Sequence, residues 1–179
     1  MTLMQFNIIL TSDSNYGFSR YNKIPWFFTD DMNYFNERTA SAVCIMGRNT
    51  AHDLRKPLEN RDCIVITGAH DHPPGFIQVR SFDEALKKAK QLACGREVFV
   101  IGGSRLIEEA VKSNYLDTIY YTRISQAFKC DNFVVPILDL PHMINTILDT
   151  KFVSGIDTIN STNIIENVKL TFYSLKRTN

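Results

Sequence analysis

The chain has 179 residues, of which 44% are hydrophobic and 22% are charged, and its formal net charge is +1. This length fits one globular domain, residues 1–179, with a sizeable core. The near-neutral charge, without any Lys/Arg-rich run, argues against nucleic acid or an anionic membrane as a partner and favours a small ligand.

The N-terminal segment predicts a buried strand followed by a mobile loop. The first residues carry neither a basic region nor a cleavage site, and no later apolar run reaches membrane-spanning length, so we expect a cytoplasmic protein. Phe6 to Leu10 is apolar without polar alternation, as in a strand covered on both faces. Ser12 to Asn22 has the Ser, Asn, Asp and Gly content of a loop that could fold over a ligand.

The stretch from Lys23 to Phe35 joins a proline-stiffened loop to a helix expected at about Thr29 to Thr39. Thr29 is a good N-cap, and Asp31 shares a partly apolar helix face with Phe35. A partly desolvated carboxylate there has a raised pKa and is a candidate proton donor or acceptor. The simpler interpretation is a solvated first-turn residue that complements the helix dipole.

A glycine turn follows the next predicted strand, Ala42 to Met46. Gly47-Arg48-Asn49-Thr50 points backbone N–H groups at the start of a helix, and Arg48 adds a planar fork suited to phosphate. An ordinary capping turn explains the same residues. The helix is expected to end before Pro57.

Further elements extend this strand and helix pattern. Cys63 to Thr67 predicts a third buried strand, closed by Gly68, and Phe76 to Val79 a short fourth one. Ser81 to Glu84 is a capping box that begins a helix ending near Gly95.

A second glycine turn follows the predicted strand Glu97 to Ile101. In Gly102-Gly103-Ser104-Arg105 the glycines permit close approach to a ligand, and Ser104 is expected to cap the next helix, whose N–H groups would face a phosphate. A turn needed only for helix packing is the alternative. The segment is not GxGxxG, so the dinucleotide fingerprint is absent.

The C-terminal part predicts the strand Thr118 to Ile124, an irregular segment from Lys129 to Asp139, and a closing antiparallel hairpin from Lys151. Strands alternating with helices indicate an α/β fold with a mostly parallel central sheet and flanking helices. The four cysteines lack CxxC or zinc-ligand spacing, so free thiols and no metal site are expected.

These segments resemble dihydrofolate reductase, in that family's order over almost the whole chain. The resemblance depends on Ile24-Pro25-Trp26 with Asp31 and Phe35, Ile45 to Thr50, Pro57-Leu58 with Arg61, Val100 to Arg105, and Thr122 with Asp131. It implies an NADPH-dependent oxidoreductase that reduces 7,8-dihydrofolate to tetrahydrofolate by hydride transfer to C6 with protonation of N5. Such an enzyme supplies one-carbon metabolism and thymidylate synthesis and is an antifolate target, with methotrexate an expected inhibitor.

The resemblance also implies roles for individual residues around the substrate. Asp31 would hold the pterin and support protonation of N5, with Trp26 positioning water and Thr122 hydrogen bonding the carboxylate. Carbonyls of Ile9 and Ile101 would accept from the 4-amino group of diaminopyrimidine inhibitors, and Arg61 would bind the glutamate α-carboxylate bidentately. Apolar walls would come from Met32, Phe35, Leu54 and Leu58.

For NADPH, the resemblance implies two backbone segments around the pyrophosphate and a site for the 2′-phosphate. The segments are Gly47, Arg48, Asn49 and Thr50 on one side and Gly102, Gly103, Ser104, Arg105 and Leu106 on the other. Arg48 and Thr67 would meet the 2′-phosphate beside the backbone of Gly68, and Thr11 and Phe18 would border the nicotinamide. The family often has a cis peptide at the paired glycines.

Four departures from the family pattern affect expected rates and inhibitor profile rather than reaction type. They are Gly17-Phe18-Ser19 for Gly-Ile-Gly, Ile107 for tyrosine, Glu59-Asn60 for Pro-Gly, and Thr11 for alanine. Two alternatives remain: a pyrimidine reductase of riboflavin synthesis, and a catalytically silent ligand-binding homologue. We expect a monomer.

Overall fold

The apolar runs of the sequence form strands, and the amphipathic segments between them form helices. The computed structural model describes residues 4–160 and 163–178. The strands are β1 (Phe6–Ser12), β2 (Gly17–Ser19), β3 (Trp26–Phe27), β4 (Val43–Gly47), β5 (Asp62–Ile66), β6 (Ile77–Val79), β7 (Val98–Gly102), β8 (Leu116–Ile124), β9 (Asn132–Phe133), β10 (Met143–Asp157) and β11 (Ile164–Arg177). The helices are α1 (Thr29–Arg38), α2 (Arg48–Leu54), α3 (Phe82–Ala93) and α4 (Ser104–Ala110), with a 3₁₀ turn at Ile137–Asp139.

The chain divides into two structural units, the first made of residues 4–8 and 39–117. Its strands follow the order β1-β7-β4-β5-β6, and each of these neighbouring pairs is parallel. β4, β5 and β7 are almost wholly buried, since helices α2, α3 and α4 pack against them. Helix α3 begins as predicted, with Ser81 as N-cap accepting from the Glu84 N–H at 3.1 Å.

The second unit contains residues 9–38 and 118–178. Its strands follow the order β3-β10-β11-β8-β1, and the pairs β3–β10, β10–β11 and β11–β8 are antiparallel. Strands β2 and β9 form a separate two-stranded sheet. The core of this unit is aromatic and aliphatic, and it contains Trp26, Phe28, Ile124, Phe128, Ile165, Val168, Leu170 and Phe172.

The predicted α/β class, with a mostly parallel sheet, flanking helices and a closing antiparallel hairpin, is confirmed. The single domain boundary at 1–179 stays a prediction. The four cysteines are free thiols, as predicted. No helix among residues 4–160 and 163–178 is both long enough and apolar enough to cross a membrane.

Some element boundaries predicted from the sequence are wrong. β10 begins at Met143 rather than Lys151, since its residues are mostly exposed and two bulges interrupt the alternation that would reveal it. β2, β3 and β9 have two or three residues each, too few for a periodic signal. The hairpin predicted from Lys151 includes residues 161 and 162, which lie outside the described residues.

Candidate active site

Helix α1 presents Asp31 from its first turn. The helix begins at Thr29 itself, and the Met32 N–H donates to the carbonyl of Phe28 at 3.1 Å. Phe28 is only 1% exposed, so this buried ring anchors the start of the helix in the core. Asp30 pairs with Lys151 at 3.1 Å in an exposed ion pair, whereas Asp31 hydrogen bonds within its own unit. Two adjacent carboxylates therefore have different surroundings.

Two threonines from separate strands hold the Asp31 carboxyl group. The Thr11 hydroxyl, on β1, donates to Asp31 Oδ1 at 2.8 Å, and the Thr122 side chain, on β8, also hydrogen bonds it. Burial raises the pKa of Asp31 from 3.8 to about 6, and the two threonine bonds only partly oppose that rise. A carboxyl group with a pKa of about 6 can both hold and release a proton near neutral pH.

Other predicted substrate residues of the second unit lie on β1, β3 and α1. Ile9 is 4% exposed, Phe35 is partly buried and Met32 is exposed. Trp26 is buried, and its ring packs against Phe128 with centroids 5.2 Å apart. The role of Trp26 in positioning water stays a prediction.

The loop after β1 is held by a carboxylate that the sequence did not reveal. Asp13 is 1% exposed and accepts hydrogen bonds from the N–H groups of Asn15, Gly17 and Phe128 at 2.8, 2.7 and 2.9 Å. The Asp131 side chain accepts from the Tyr21 N–H at 3.0 Å. Phe18, predicted beside the nicotinamide, lies in β2 within this loop and is partly buried. Loop composition alone gave no signal for Asp13, since an aspartate is ordinary in any turn.

In the first unit, the structure brings the two predicted glycine turns together. β4 and β7 are parallel neighbours, so their carboxyl ends, Gly47 and Gly102, lie at the same edge of the sheet. A Cβ atom added to Gly47 would lie 3.5 Å from the Gly103 nitrogen, and one added to Gly103 would lie 3.8 Å from Thr50 Oγ1. The Gly102–Gly103 peptide bond is cis, as the resemblance implied.

Both helices that follow these turns begin without a side-chain cap. Gly47 is the N-cap of α2 and Gly103 is the N-cap of α4, and neither provides a capping hydrogen bond. The prediction that Ser104 caps the helix is wrong, because Ser104 is already its first helical residue. Backbone N–H groups at helix starts with glycine caps are suited to a phosphate oxygen. The arrangement therefore fits a pyrophosphate.

The remaining predicted cofactor residues vary in exposure. Arg48, Asn49 and Arg105 are exposed, while Leu106 is 8% exposed. Arg48 Nη1 lies 3.6 Å from Asp71 Oδ1 in an exposed ion pair. The Thr67 hydroxyl accepts from the Ala69 N–H at 3.1 Å beside exposed Gly68. Ile107, which replaces the family's tyrosine, is fully buried in α4.

Hydrogen bonds within the first unit orient the Arg61 side chain. Its Nε donates to the Thr39 carbonyl at 2.9 Å and to the Thr39 hydroxyl at 3.1 Å, and its Nη1 donates to the Glu59 carbonyl at 2.8 Å. Leu54 ends α2 and Leu58 follows it, and both are partly buried. Ile101, in β7, is also partly buried. These contacts fix the guanidinium plane before any ligand binds.

Comparison with known proteins agrees with this geometry. A family model described as dihydrofolate reductase matches residues 5–147. The chain is 31% identical over 144 residues to a dihydrofolate reductase of Schistosoma mansoni, with 73% of this chain and 77% of that protein covered. It is also 26% identical to the structure of a dihydrofolate reductase from Enterococcus faecalis complexed with NADP(H) and RAB-propyl, with a TM-score of 0.77 and coverage of 98% and 97%.

A further relative is much longer than this chain. The segregation and condensation protein A of Mycoplasmoides gallisepticum is 32% identical over 127 residues, which are 71% of this chain but 21% of that protein. The chain thus spans about one fifth of that relative.

Proposed function

Because the chain belongs to the dihydrofolate reductase family, we propose that it reduces 7,8-dihydrofolate to 5,6,7,8-tetrahydrofolate with NADPH. Hydride goes to C6 of the substrate and a proton to N5. The observation that carries this proposal is the Asp31 carboxyl group, whose pKa is raised to about 6 and which Thr11 and Thr122 hold by hydrogen bonds. A carboxyl group that titrates near neutral pH is suited to general acid–base catalysis.

Asp31 has two tasks in this reaction. As a carboxylate it accepts hydrogen bonds from the 2-amino group and N3 of the pterin, which fixes the ring, and its charge favours the protonated form of N5. The hydrogen bonds from Thr11 and Thr122 restrict carboxylate rotation, so its geometry is set before substrate arrives. Trp26 positions a water near this carboxylate. The carbonyl of Ile9, in the second unit, accepts from the 4-amino group of diaminopyrimidine inhibitors, and the carbonyl of Ile101, in the first unit, has the same predicted role.

NADPH supplies the hydride when bound. In the first unit, the backbones at Gly47 and Gly103 hold its pyrophosphate, since these glycine turns are adjacent and leave the helix starts uncapped. Arg48 turns from Asp71 to the 2′-phosphate, an exchange that costs little because the present ion pair is exposed. Thr67 adds a hydroxyl at the same phosphate. The selection of NADPH over NADH then depends on Arg48.

The folate tail binds Arg61 and the apolar walls. The bonds to Thr39 and Glu59 hold the Arg61 guanidinium in one plane, which favours bidentate binding of a carboxylate. The apolar walls predicted for the pterin and aminobenzoyl rings are Met32 and Phe35 in the second unit, and Leu54 and Leu58 in the first unit.

One chain supplies every residue named above, so a single copy is sufficient for activity, in line with the monomer predicted from the sequence. We place the enzyme in the cytoplasm, where its four free thiols stay reduced. Its near-neutral charge supports neither a nucleic acid nor a membrane as its partner.

The test is NADPH oxidation followed at the nicotinamide absorbance band. The proposal expects oxidation that depends on added dihydrofolate, stops with methotrexate, and does not occur with a ribityl-substituted pyrimidine. Binding of both ligands without oxidation identifies a silent homologue and refutes the proposed activity. Oxidation with the pyrimidine alone identifies the riboflavin-pathway reaction instead.

A further inference from the structure

Thr11 differs from the other residues of β1 in its accessibility. Phe6 to Leu10 and Ser12 are buried, whereas Thr11 is partly exposed. A β-branched side chain has a restricted χ1 angle, so the direction of its hydroxyl is largely fixed by the strand. Strand β1 therefore presents one oriented hydroxyl on its accessible part.

That hydroxyl contacts the Asp31 carboxyl group. Thr11 Oγ1 donates to Asp31 Oδ1 at 2.8 Å, and the Thr122 side chain hydrogen bonds the same carboxyl group. The two threonines lie on β1 and β8, which are neighbours in the sheet and are separated by about 4.8 Å. Bonds from two strands fix the plane of the carboxyl group, which a single bond would leave free to rotate.

The number of hydrogen bonds that the carboxylate accepts matches the proposed substrate. An ionised carboxylate has about four acceptor positions on its two oxygens. The hydroxyls of Thr11 and Thr122 use two of them, and the 2-amino group and N3 of a pterin use the other two. Loss of the Thr11 hydroxyl leaves an acceptor position on Oδ1 that the pterin edge does not fill.

The bond between Thr11 and Asp31 can persist in both protonation states of the carboxyl group. A hydroxyl is a donor and an acceptor, so it donates to the ionised carboxylate and, after rotation of its O–H bond, accepts from the protonated acid. A backbone N–H can only donate. Asp31 therefore keeps its orientation when it gains or loses a proton.

The charged side chains of the elements around Asp31 have other partners. Asp30 of α1 pairs with Lys151 of β10 at 3.1 Å, Arg38 of α1 lies 4.0 Å from the ring centre of Tyr120, Arg123 of β8 donates to the Ser14 carbonyl at 3.0 Å, and Asp13 accepts from three N–H groups. The pKa of Asp31 is raised by burial and lowered by the bonds from Thr11 and Thr122, of which the Thr11 bond has the larger effect. Removal of the Thr11 hydroxyl should therefore raise this pKa further.

We propose that Thr11 is a positioning residue for Asp31, an inference that rests on the proposed reduction of dihydrofolate. Its hydroxyl holds one carboxylate oxygen in place while the carboxyl group binds the pterin and changes its protonation state. This role differs from the one that the resemblance implied, in which Thr11 borders the nicotinamide. It predicts effects on substrate binding and on pH dependence, without an effect on NADPH.

The first experiment follows the Asp31 carboxyl carbon by ¹³C NMR in the unliganded protein as pH is varied, with Asp31→Asn identifying its signal. Thr11→Val keeps the branched shape but lacks the hydroxyl. It should move the titration midpoint upward from about 6 by roughly half to one pH unit. Thr11→Ser keeps the hydroxyl and should retain the parental midpoint. A midpoint that Thr11→Val does not raise overturns the proposal.

Thr171→Val is the matched control. Thr171 is a strand residue of the same unit and is 8% exposed. Its register partner on β8 is Arg123, whereas the partner of Thr122 is Phe172. Because successive residues of a strand point to opposite faces, Thr171 lies on the face opposite Thr122. Its replacement should leave the Asp31 midpoint unchanged, and equal shifts in the two valine variants refute a specific role of Thr11.

The second experiment measures kcat and KM as a function of pH for variants whose circular dichroism shows an intact fold. At about pH 8, where Asp31 is mostly ionised, Thr11→Val should raise the KM for dihydrofolate roughly 3- to 10-fold and leave the KM for NADPH unchanged. The midpoint of the pH dependence of kcat/KM should move to higher pH, and Thr11→Ser should show neither change. An equal rise in both KM values indicates a contact with the nicotinamide and overturns the positioning role.

The two experiments separate this inference from the proposed function. A parent protein that does not oxidise NADPH with dihydrofolate refutes the proposed function, whatever the NMR midpoints are. An active parent whose KM for dihydrofolate and Asp31 midpoint are both unchanged by Thr11→Val refutes the role of Thr11 alone.

Discussion

Replacement of Asp31 by Asn tests the group on which the proposed reaction depends. Burial raises the pKa of Asp31 from 3.8 to about 6, so the ionised carboxylate destabilises the folded protein by about 3 kcal/mol. Asn is neutral at every pH, and its amide can still hydrogen bond Thr11 and Thr122. We therefore expect Asp31→Asn to be more stable than the parent at neutral pH by up to about 3 kcal/mol.

The gain in stability of Asp31→Asn over the parent should increase as pH rises. Below the ordinary pKa of 3.8, Asp31 is protonated in both the folded and the unfolded chain, so the two proteins should differ little. As pH rises from 3.8 to about 6, the unfolded chain ionises more readily than the folded one, and the parent loses stability relative to the variant. Above about 6 the difference should be constant.

The assay is urea denaturation of both proteins at a series of pH values, with the difference in free energy of unfolding as the readout. Asp30→Asn is the matched control, because Asp30 is the neighbouring residue in an exposed ion pair with Lys151. A surface pair contributes about 0–1 kcal/mol, so this control should show no rising gain between pH 4 and 6.

The same substitution, Asp31→Asn, should lower activity although it raises stability. Asp31→Asn should still bind NADPH but lose most turnover at neutral pH, because an amide can neither move a proton nor carry the negative charge. Its residual activity should climb as pH falls, since solution then protonates more of the substrate, while the parent changes less.

Two results would refute the reasoning. One is near-parental turnover of Asp31→Asn at neutral pH. The other is a difference in free energy of unfolding between the two proteins that does not change with pH. That result would mean that Asp31 ionises in the folded protein as easily as in the unfolded chain.

Three further substitutions test other parts of the site. Arg48→Ala should raise the KM for NADPH roughly 10- to 100-fold and that for NADH hardly at all, since only NADPH has a 2′-phosphate. Asp71→Asn should not raise either value, and equal changes for both cofactors would contradict the assignment. Arg61→Leu should weaken dihydrofolate binding strongly but spare small diaminopyrimidines that lack glutamate, as measured by fluorescence titration; a uniform loss would indicate a folding defect caused by the lost bonds to Thr39 and Glu59. Gly17→Ala should destabilise the protein by about 1–3 kcal/mol in denaturant titration, because its Cβ would lie 2.6 Å from the Asp13 carboxylate. Gly68→Ala, which meets nothing within 4 Å, should be neutral, and equal effects of the two changes would show that the Asp13 contact does not matter.

Several strands and one helix start could be predicted because the sequence patterns that identify them span only a few consecutive residues. Buried apolar runs predicted β4, β5 and β7 to within a residue or two, and Ser81 with Glu84 predicted the start of α3. Backbone preferences and burial of contiguous side chains act over a few residues, so such patterns survive without tertiary information. The same signals failed for β10, whose side chains are mostly exposed and whose alternation is broken by bulges.

The candidate site was only partly visible from the sequence. Asp31 and the glycine turns could be identified from their residue types, but the helix alone favoured the interpretation of Asp31 as a solvated first-turn residue. Asp13 gave no signal, because its three N–H donors include Phe128, which is far away in the chain.

The sequence by itself determined the α/β class, the two glycine turns and the acidic first turn of α1, since local propensity and periodicity decide these. Only the tertiary structure decided that Thr11 and Thr122 meet at Asp31, that Gly47 lies beside Gly103, and that β3 pairs with the end of β10, at Ile156 and Asp157. Strand order sets each of these, and no periodic pattern in a strand specifies its neighbour. The raised pKa of Asp31 has the same origin, because its cause is burial by the folded chain rather than any adjacent residue.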